Sequence, residues 1–195
     1  GASQVDPDAD GAAGRLKYPG DIWFLEWSRT PVQPSSESQY RRAVEDLRRF
    51  NERLARGQAT FERRADNLIA TLERIAADTG GSSAASFEQI ESGATVWLDF
   101  HADNLFYSNK GRIYAYALLL EALGEDFAAV IRERNVQRNW EELVRTFMAA
   151  AILQPWVVSN GALDSMWRPN HLAAQGFLLL RARFQLYEVI NVLTK

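Results

Sequence analysis

The sequence lacks cysteine altogether and holds only two histidines in 195 residues. The absence of cysteine excludes disulfide bonds, thiolate catalysis and cysteine metal sites. Zinc sites on helices use closely spaced motifs such as H-E-x-x-H, and the sequence has none. His101 and Asp103, together with Asp99 or His171, are the one set that offers metal ligands. We interpret Asp103 instead as a helix N-cap and His101 as a loop residue, and we expect no metal and no cofactor.

Motifs for covalent catalysis and for phosphate binding are also missing. There is no G-x-S-x-G motif, and the Gly80-Gly81 pair leads to no Lys-Ser or Lys-Thr. A Ser-His-acid triad stays open, because such triads are defined in space and not by sequence order. The sequence therefore favours a protein without catalytic activity.

Strong charge and long apolar runs are absent too. With 22 basic and 25 acidic residues the net charge is -3, which argues against nucleic acid as a partner. No apolar run reaches the roughly 18–20 residues that cross a bilayer. The nearest, 147–158, is interrupted by Gln154 and Pro155. An apolar fraction of 47% is nevertheless sufficient for a sizeable core.

Apolar residues recur at helical spacing along most of the chain. The runs 113–120 and 177–180 are apolar almost all the way round a helix, and we predict that they form the core of a bundle. Ser35 or Ser36 is placed to cap the first long helix, and Gly80-Gly81 to end the second. Helices are predicted over residues 35–57, 60–80, 103–124, 126–135, 139–153 and 169–192.

These helices predict an all-α fold, a helical bundle with an N-terminal antiparallel helical hairpin. The short link between the first two helices is the reason for expecting the hairpin. Residues 1–20 are rich in Gly, Ala, Asp and Pro and predict a flexible N-terminal tail, whereas 21–195 predict a single all-helical domain. The chain begins without methionine, which is typical of a processed protein.

A buried charge is predicted on the last helix. Arg183 lies away from the polar row formed by Arg181, Gln185 and Glu188, on the side that should face the core. A buried charge needs a partner, so we expect an ion pair between Arg183 and an acid such as Glu121. A functional anion site is the alternative.

The connection between the last two helices is the candidate functional site. The loop 156–168 is long for a helix–helix connection, and long ordered loops are often functional. Together with the start of the last helix it could grip a polar ligand with an apolar body at the start of the third long helix. The same groups could instead satisfy one another and hold two helix ends together. The residues concerned are Trp156, Asn160, Asp164, Trp167, Asn170 and His171.

Several short segments follow one another in order along the chain: 34–41, 47–50, 64–68, 103–107 with Gly111, Pro155, 160–161 and 170–171. Together they resemble an uncharacterised bacterial family of single-pass, membrane-anchored envelope proteins, the domain of unknown function 2333. The resemblance implies a helical domain on the periplasmic side of the inner membrane, preceded by an anchor that this chain does not contain. It also adds Asp103, Tyr107 and Gly111 to the candidate site.

Three functions follow in order of preference. The first is a non-catalytic envelope domain that binds a protein partner or scaffolds an assembly. The second is a small-molecule or lipid-binding helical domain, and the third a hydrolase without a recognisable motif. An exposed apolar patch of several hundred Å² would support the first function, since monomers rarely leave patches of that size open. An internal cavity would support the second.

Overall fold

The computed structural model describes residues 6–16, 35–93, 100–153 and 170–195, and within these ranges the chain is all-α, as predicted. None of the described helices is long and apolar enough to cross a membrane. Seven helices fall in the described ranges: α1 (Pro7–Leu16), α2 (Ser36–Ala55), α3 (Ala65–Gly93), α4 (Phe100–Asp126), α5 (Ala128–Glu133), α6 (Gln137–Ala151) and α7 (His171–Leu193).

The chain divides into two compact units, Gly1–Glu62 and Arg63–Lys195. In the first unit α1 packs against α2. The predicted cap of α2 is confirmed, because the Ser35 side chain accepts a hydrogen bond from the Ser38 N–H. The predicted hairpin joins α2 to α3, which belong to different units, and it stays a prediction. The division into a tail and one domain also stays a prediction.

A helix forms inside the segment whose composition predicts a flexible tail. Asp6 starts α1 by accepting hydrogen bonds from the backbone N–H groups of Asp8 and Ala9, at 3.0 and 3.3 Å. Its acids then meet the arginines of α2: Arg53 lies 2.5 Å from Asp6 and 2.7 Å from Asp8. The hydrogen bond from Arg53 lowers the pKa of Asp6. Composition misses these ion pairs because the arginines lie some forty residues further along the chain.

The second unit is a four-helix bundle of α3, α4, α6 and α7 with α5 as a short addition. Each of α3 and α6 packs against both α4 and α7, so α4 and α7 occupy opposite corners. Neighbouring helices run antiparallel, in an up-down-up-down order. The largest fully buried apolar side chains of this core are Leu68, Leu72, Ile113, Leu120, Phe127, Leu143, Phe147, Leu179, Leu186 and Leu193.

The glycine pair of α3 does not end the helix, and that prediction is wrong. The helix continues through Gly80 and Gly81 to Gly93. A Cβ on Gly80 would lie 3.0 Å from the guanidinium carbon of Arg183, so the missing side chain makes room for α7. The serines that follow, Ser82, Ser83 and Ser86, are buried. Small residues thus bring α3 and α7 into close contact.

Candidate functional site on the outer face of α4

Helix α4 is apolar on both sides, but the bundle covers only one of them. Its inner side, with Phe106, Ile113, Ala117 and Leu120, is buried at 2% exposure or less. On the outer side Tyr114 is 54% exposed and Leu118 is 45% exposed. The prediction that the whole run 113–120 lies in the core is therefore wrong for its outer residues. An apolar face is left at the surface.

We call Tyr107, Gly111, Tyr114 and Leu118 the α4 face. These residues follow one another at the spacing of one side of a helix, four, three and four residues apart. The two tyrosines are about half exposed, which leaves on the order of 200 Å² open, because an aromatic side chain presents about 150–250 Å². A Cβ on Gly111 would meet no atom within 4 Å. The α4 face thus offers an exposed apolar surface with a shallow centre.

A groove opens where α4 meets α5 and α6. Its volume is about 680 Å³. The indole ring of Trp140 packs against α4 at Gly124. A Cβ added to Gly124 would lie 2.6 Å from the indole nitrogen. Glu121 and Glu125 extend the α4 face into this groove. We call it the mixed-charge groove; its lining residues are Glu121, Gly124, Glu125, Ala128, Ile131, Arg132, Gln137, Trp140, Glu141, Val144 and Arg145.

The charges of the mixed-charge groove are only partly paired. Arg145 lies 4.0 Å from Glu141, one turn away on α6. Within the described ranges Glu121 and Glu125 form no ion pair. Two unpaired carboxylates at the end of the α4 face favour a partner that carries a positive charge there.

Polar contacts with α3 hold α4 in place behind this surface. Asn109 donates a hydrogen bond of 3.1 Å to the Ser86 hydroxyl, and both side chains are buried. Arg112 donates to the Ser82 hydroxyl at 2.8 Å. Because buried polar groups are costly to leave unpaired, these contacts fix the rotation of α4. The rotation in turn decides that Tyr114 and Leu118 point outward.

Tyr116 marks the opposite side of α4 and gives a testable prediction. Its hydroxyl donates a hydrogen bond of 2.9 Å to Asp78. Burial, followed by this contact with Asp78, raises the pKa of Tyr116 to about 12. We expect phenolate absorbance to show a step near this pH that is missing in the Tyr116→Phe variant. Since the folded-state pKa is raised, Tyr116 contributes stability below its unfolded value of 10.0 that is lost as the pH rises toward 12. If the variant instead lost a phenolate step near 10.0, the ordinary value, the burial of Tyr116 beside Asp78 would be contradicted.

The residues predicted for the loop site are only partly within the described ranges. Asn170 caps α7 by accepting a hydrogen bond of 2.7 Å from the Ala173 N–H. His171 opens α7 and is partly buried, and burial lowers its pKa. Helix α4 begins at Phe100, so the predictions of His101 as a loop residue and Asp103 as an N-cap are wrong. Tyr107 on the α4 face is 47% exposed. Three predicted residues, Trp156, Asn160 and Trp167, lie outside the described residues, as does Asp164.

The start of α7 does meet α4 near these residues. Gln175 is fully buried and donates a hydrogen bond of 3.1 Å to the Phe106 carbonyl. Phe106 and Leu172 form a small apolar cluster of their own. The start of α7 and the start of α4 are therefore in contact, whereas the loop 156–168 lies outside the described residues and a ligand site stays a prediction.

The predicted ion pair between Glu121 and Arg183 does not form. Glu121 is exposed in the mixed-charge groove. Arg183 packs over Gly80, and its guanidinium carbon lies 5.5 Å from the centre of the Tyr187 ring. Because the face of an aromatic ring attracts a cation, the Tyr187 ring takes the place of the acid that we expected beside Arg183. Sequence spacing could not reveal this arrangement because α4 and α7 occupy opposite corners of the bundle.

Metal ligands do not converge in the described residues: no group of three or more His, Asp or Glu side chains could hold an ion there. The chain matches no curated protein and no solved structure. Its sequence does match a family described as uncharacterized protein conserved in bacteria, DUF2333, over residues 1–89 and 74–177. These overlapping matches cover most of the chain and confirm the resemblance seen in the short segments. The chain therefore belongs to the DUF2333 family of bacterial proteins.

Proposed function

We propose that this chain is a non-catalytic domain that binds a protein partner through the α4 face. The observation that carries the proposal is the exposure of Tyr114 and Leu118 on a helix whose other side is fully buried. A contiguous exposed apolar surface supports this proposal, because the apolar patches that monomers leave open are often functional. Tyrosine is also among the residues enriched at the energetic centre of such contacts.

The chemistry of the surface defines the partner. An amphipathic helix could lay its apolar side along the α4 face, since Tyr107, Tyr114 and Leu118 supply anchors at i, i+7 and i+11 and Gly111 at i+4 leaves room between them. The same helix would carry lysine or arginine at the end that reaches Glu121 and Glu125. The partner is thus an apolar-faced, basic-ended helical segment of another protein.

The family resemblance supports a cellular location for this contact. It implies an envelope protein on the periplasmic side of the inner membrane, held by an N-terminal anchor outside this chain. In that setting the α4 face would bind another envelope protein. Through this contact the chain would scaffold an assembly at the membrane surface. We include this location in the proposal.

Small-molecule binding is the second candidate. It is favoured by the mixed-charge groove, because ligand pockets usually have volumes of about 300–1,000 Å³. The groove contains an aromatic ring at Trp140 and two unpaired acids, which suits a cationic ligand with an apolar body. Such a ligand would depend on Glu125 and not on Tyr114.

Site-specific photo-crosslinking in bacteria that express the anchored protein tests the proposal. A photo-crosslinking phenylalanine analogue replaces Tyr114, and the same analogue at the exposed Glu73 on α3 is the control. We expect one discrete adduct from position 114 and none from position 73. Adding Leu118→Ser to the position-114 protein should abolish the adduct, since it removes the neighbouring anchor.

Two results would contradict the proposal. One is the absence of any adduct from position 114. The other is an adduct that forms equally at both positions or survives Leu118→Ser. If a cationic small molecule stabilises the purified chain and Glu125→Gln removes the effect while no protein adduct forms, the second candidate replaces the first.

A further inference from the structure

A second exposed apolar line runs along α7. Phe177 is 63% exposed and Phe184 is 67% exposed. Arg181 and Glu188 lie on the same side, so that four side chains follow one another at four-, three- and four-residue spacing. The sequence predicted the run 177–180 for the core, and this is wrong for Phe177. We call Phe177, Arg181, Phe184 and Glu188 the α7 line.

The charges of the α7 line are arranged symmetrically and with opposite sign. Arg181 and Glu188 lie at equal distances along the helix from a point between residues 184 and 185. If a second α7 crosses antiparallel at that point, each Arg181 faces a Glu188 of the other copy. We propose that the chain forms a two-fold symmetric dimer through antiparallel contact of its α7 lines. A two-fold interface must be self-complementary, and the arrangement of Arg181, Phe184 and Glu188 about this point has that property.

The surface beside the α7 line has room for an aromatic ring. A hollow of about 330 Å³ is lined by Phe177, Leu180, Arg181, Phe184, Gln185 and Glu188. In the antiparallel arrangement Phe184 of each copy lies close to the axis and inserts beside Phe184 of the other. Helices that pair in this way place a side chain of one into a hole of the other.

The contact area is compatible with a dimer. Four phenylalanine rings, each about two-thirds exposed, contribute on the order of 500 Å², because an aromatic side chain presents about 150–250 Å². A stable interface buries at least about 1,000 Å², and the remainder comes from the flanking Leu180, Tyr187 and charged side chains. The area predicts a dimer of moderate affinity.

The two charged residues are available for the second copy. Arg181 makes one intramolecular contact, 3.5 Å from Glu142 of α6, and both side chains are about half exposed. An exposed pair of this kind contributes little and is readily exchanged. Glu188 forms no ion pair within the described part of the chain.

This inference does not depend on the proposed function. The α4 face and the α7 line lie on helices at opposite corners of the bundle. A dimer formed through α7 leaves both α4 faces directed outward, so that one dimer could hold two partners. If the experiment contradicts the dimer, partner binding through the α4 face can still be tested, and the reverse also holds.

Charge reversal with sedimentation-velocity ultracentrifugation of the full chain tests the dimer. At about 100 µM, within the range expected for moderate affinity, we expect a dimer for the wild type. Arg181→Glu places two acids opposite each other, and Glu188→Arg places two bases. Each single variant should lose at least about tenfold in dimer affinity. Tyr114→Ser, on the other side of the bundle, should sediment like the wild type.

Mixing the two single variants gives the decisive comparison. In the mixed dimer a chain with two acids meets a chain with two bases, and all four charges are paired again. We expect the mixture, and also the double variant Arg181→Glu/Glu188→Arg, to regain dimerisation, which misfolded variants could not do. A monomeric wild type, single variants that dimerise like the wild type, or a mixture that stays monomeric would each overturn the proposal.

Discussion

Replacing Phe147 by alanine should lower the free energy of unfolding of the α3–α7 bundle by about 3–5 kcal/mol, which is typical of a fully buried phenylalanine. Phe147 is completely buried on α6. Its ring stands edge-on to that of Tyr116 on α4, with the ring centres 6.3 Å apart. Truncation leaves a cavity between α4 and α6 and also removes this aromatic contact. Urea denaturation followed by circular dichroism measures the loss.

Phe177→Ala is the matched control for this prediction. It removes the same side chain from a position that is 63% exposed, and it should cost less than about 1 kcal/mol in dilute protein. Similar losses for both variants would show that Phe147 is not at the centre of the core. A near-neutral Phe147→Ala would contradict the packing of α6 against α4.

Replacing Gly124 by alanine should also destabilise the bundle, by about 1–3 kcal/mol, as overpacking of a core does. The new Cβ would lie 2.6 Å from the indole nitrogen and 3.4 Å from two ring carbons of Trp140. Trp140 is only 5% exposed and cannot move away without opening the wall of the mixed-charge groove. In the variant, either α4 shifts or the indole ring of Trp140 moves out of its position.

Gly111→Ala provides the control on the same helix. Its Cβ would meet nothing within 4 Å, and alanine is the better helix former, so we expect a gain of about 0.4–1 kcal/mol. Thermal denaturation of the two variants should therefore give shifts of opposite sign. Shifts of the same sign would show that Gly124 is not in contact with Trp140.

Local signals in the sequence were sufficient for much of the fold. The Ser35 cap and the apolar repeat of the helices depend on neighbouring residues, and both are found in the structure. Gly80 and Gly81 were misread because a glycine pair usually ends a helix. Whether it does so here depends on Arg183, which is a hundred residues away and packs on the Gly80 backbone.

The site was harder to predict than the fold. Runs that are apolar all the way round a helix indicate burial, yet neither α4 nor α7 is covered on its outer side. Sequence alone cannot distinguish an apolar helix face that the bundle covers from one that stays exposed at the surface. One signal was available: Tyr114 and Leu118 lie seven and eleven residues after Tyr107 and share its side of the helix. The acids of the mixed-charge groove gave no such signal, because the groove forms only when α5 and α6 fold against α4.

The claim that the α4 face binds a protein is tested most directly by isothermal titration calorimetry with the partner captured at position 114. The comparison is between the wild type and the Tyr114→Ser/Leu118→Ser double variant, with circular dichroism showing that both are folded. We expect the double variant to lose at least about tenfold in affinity, since hot-spot residues cost more than 1 kcal/mol when truncated. Equal affinities for the two proteins would contradict the assignment of the α4 face as the binding surface.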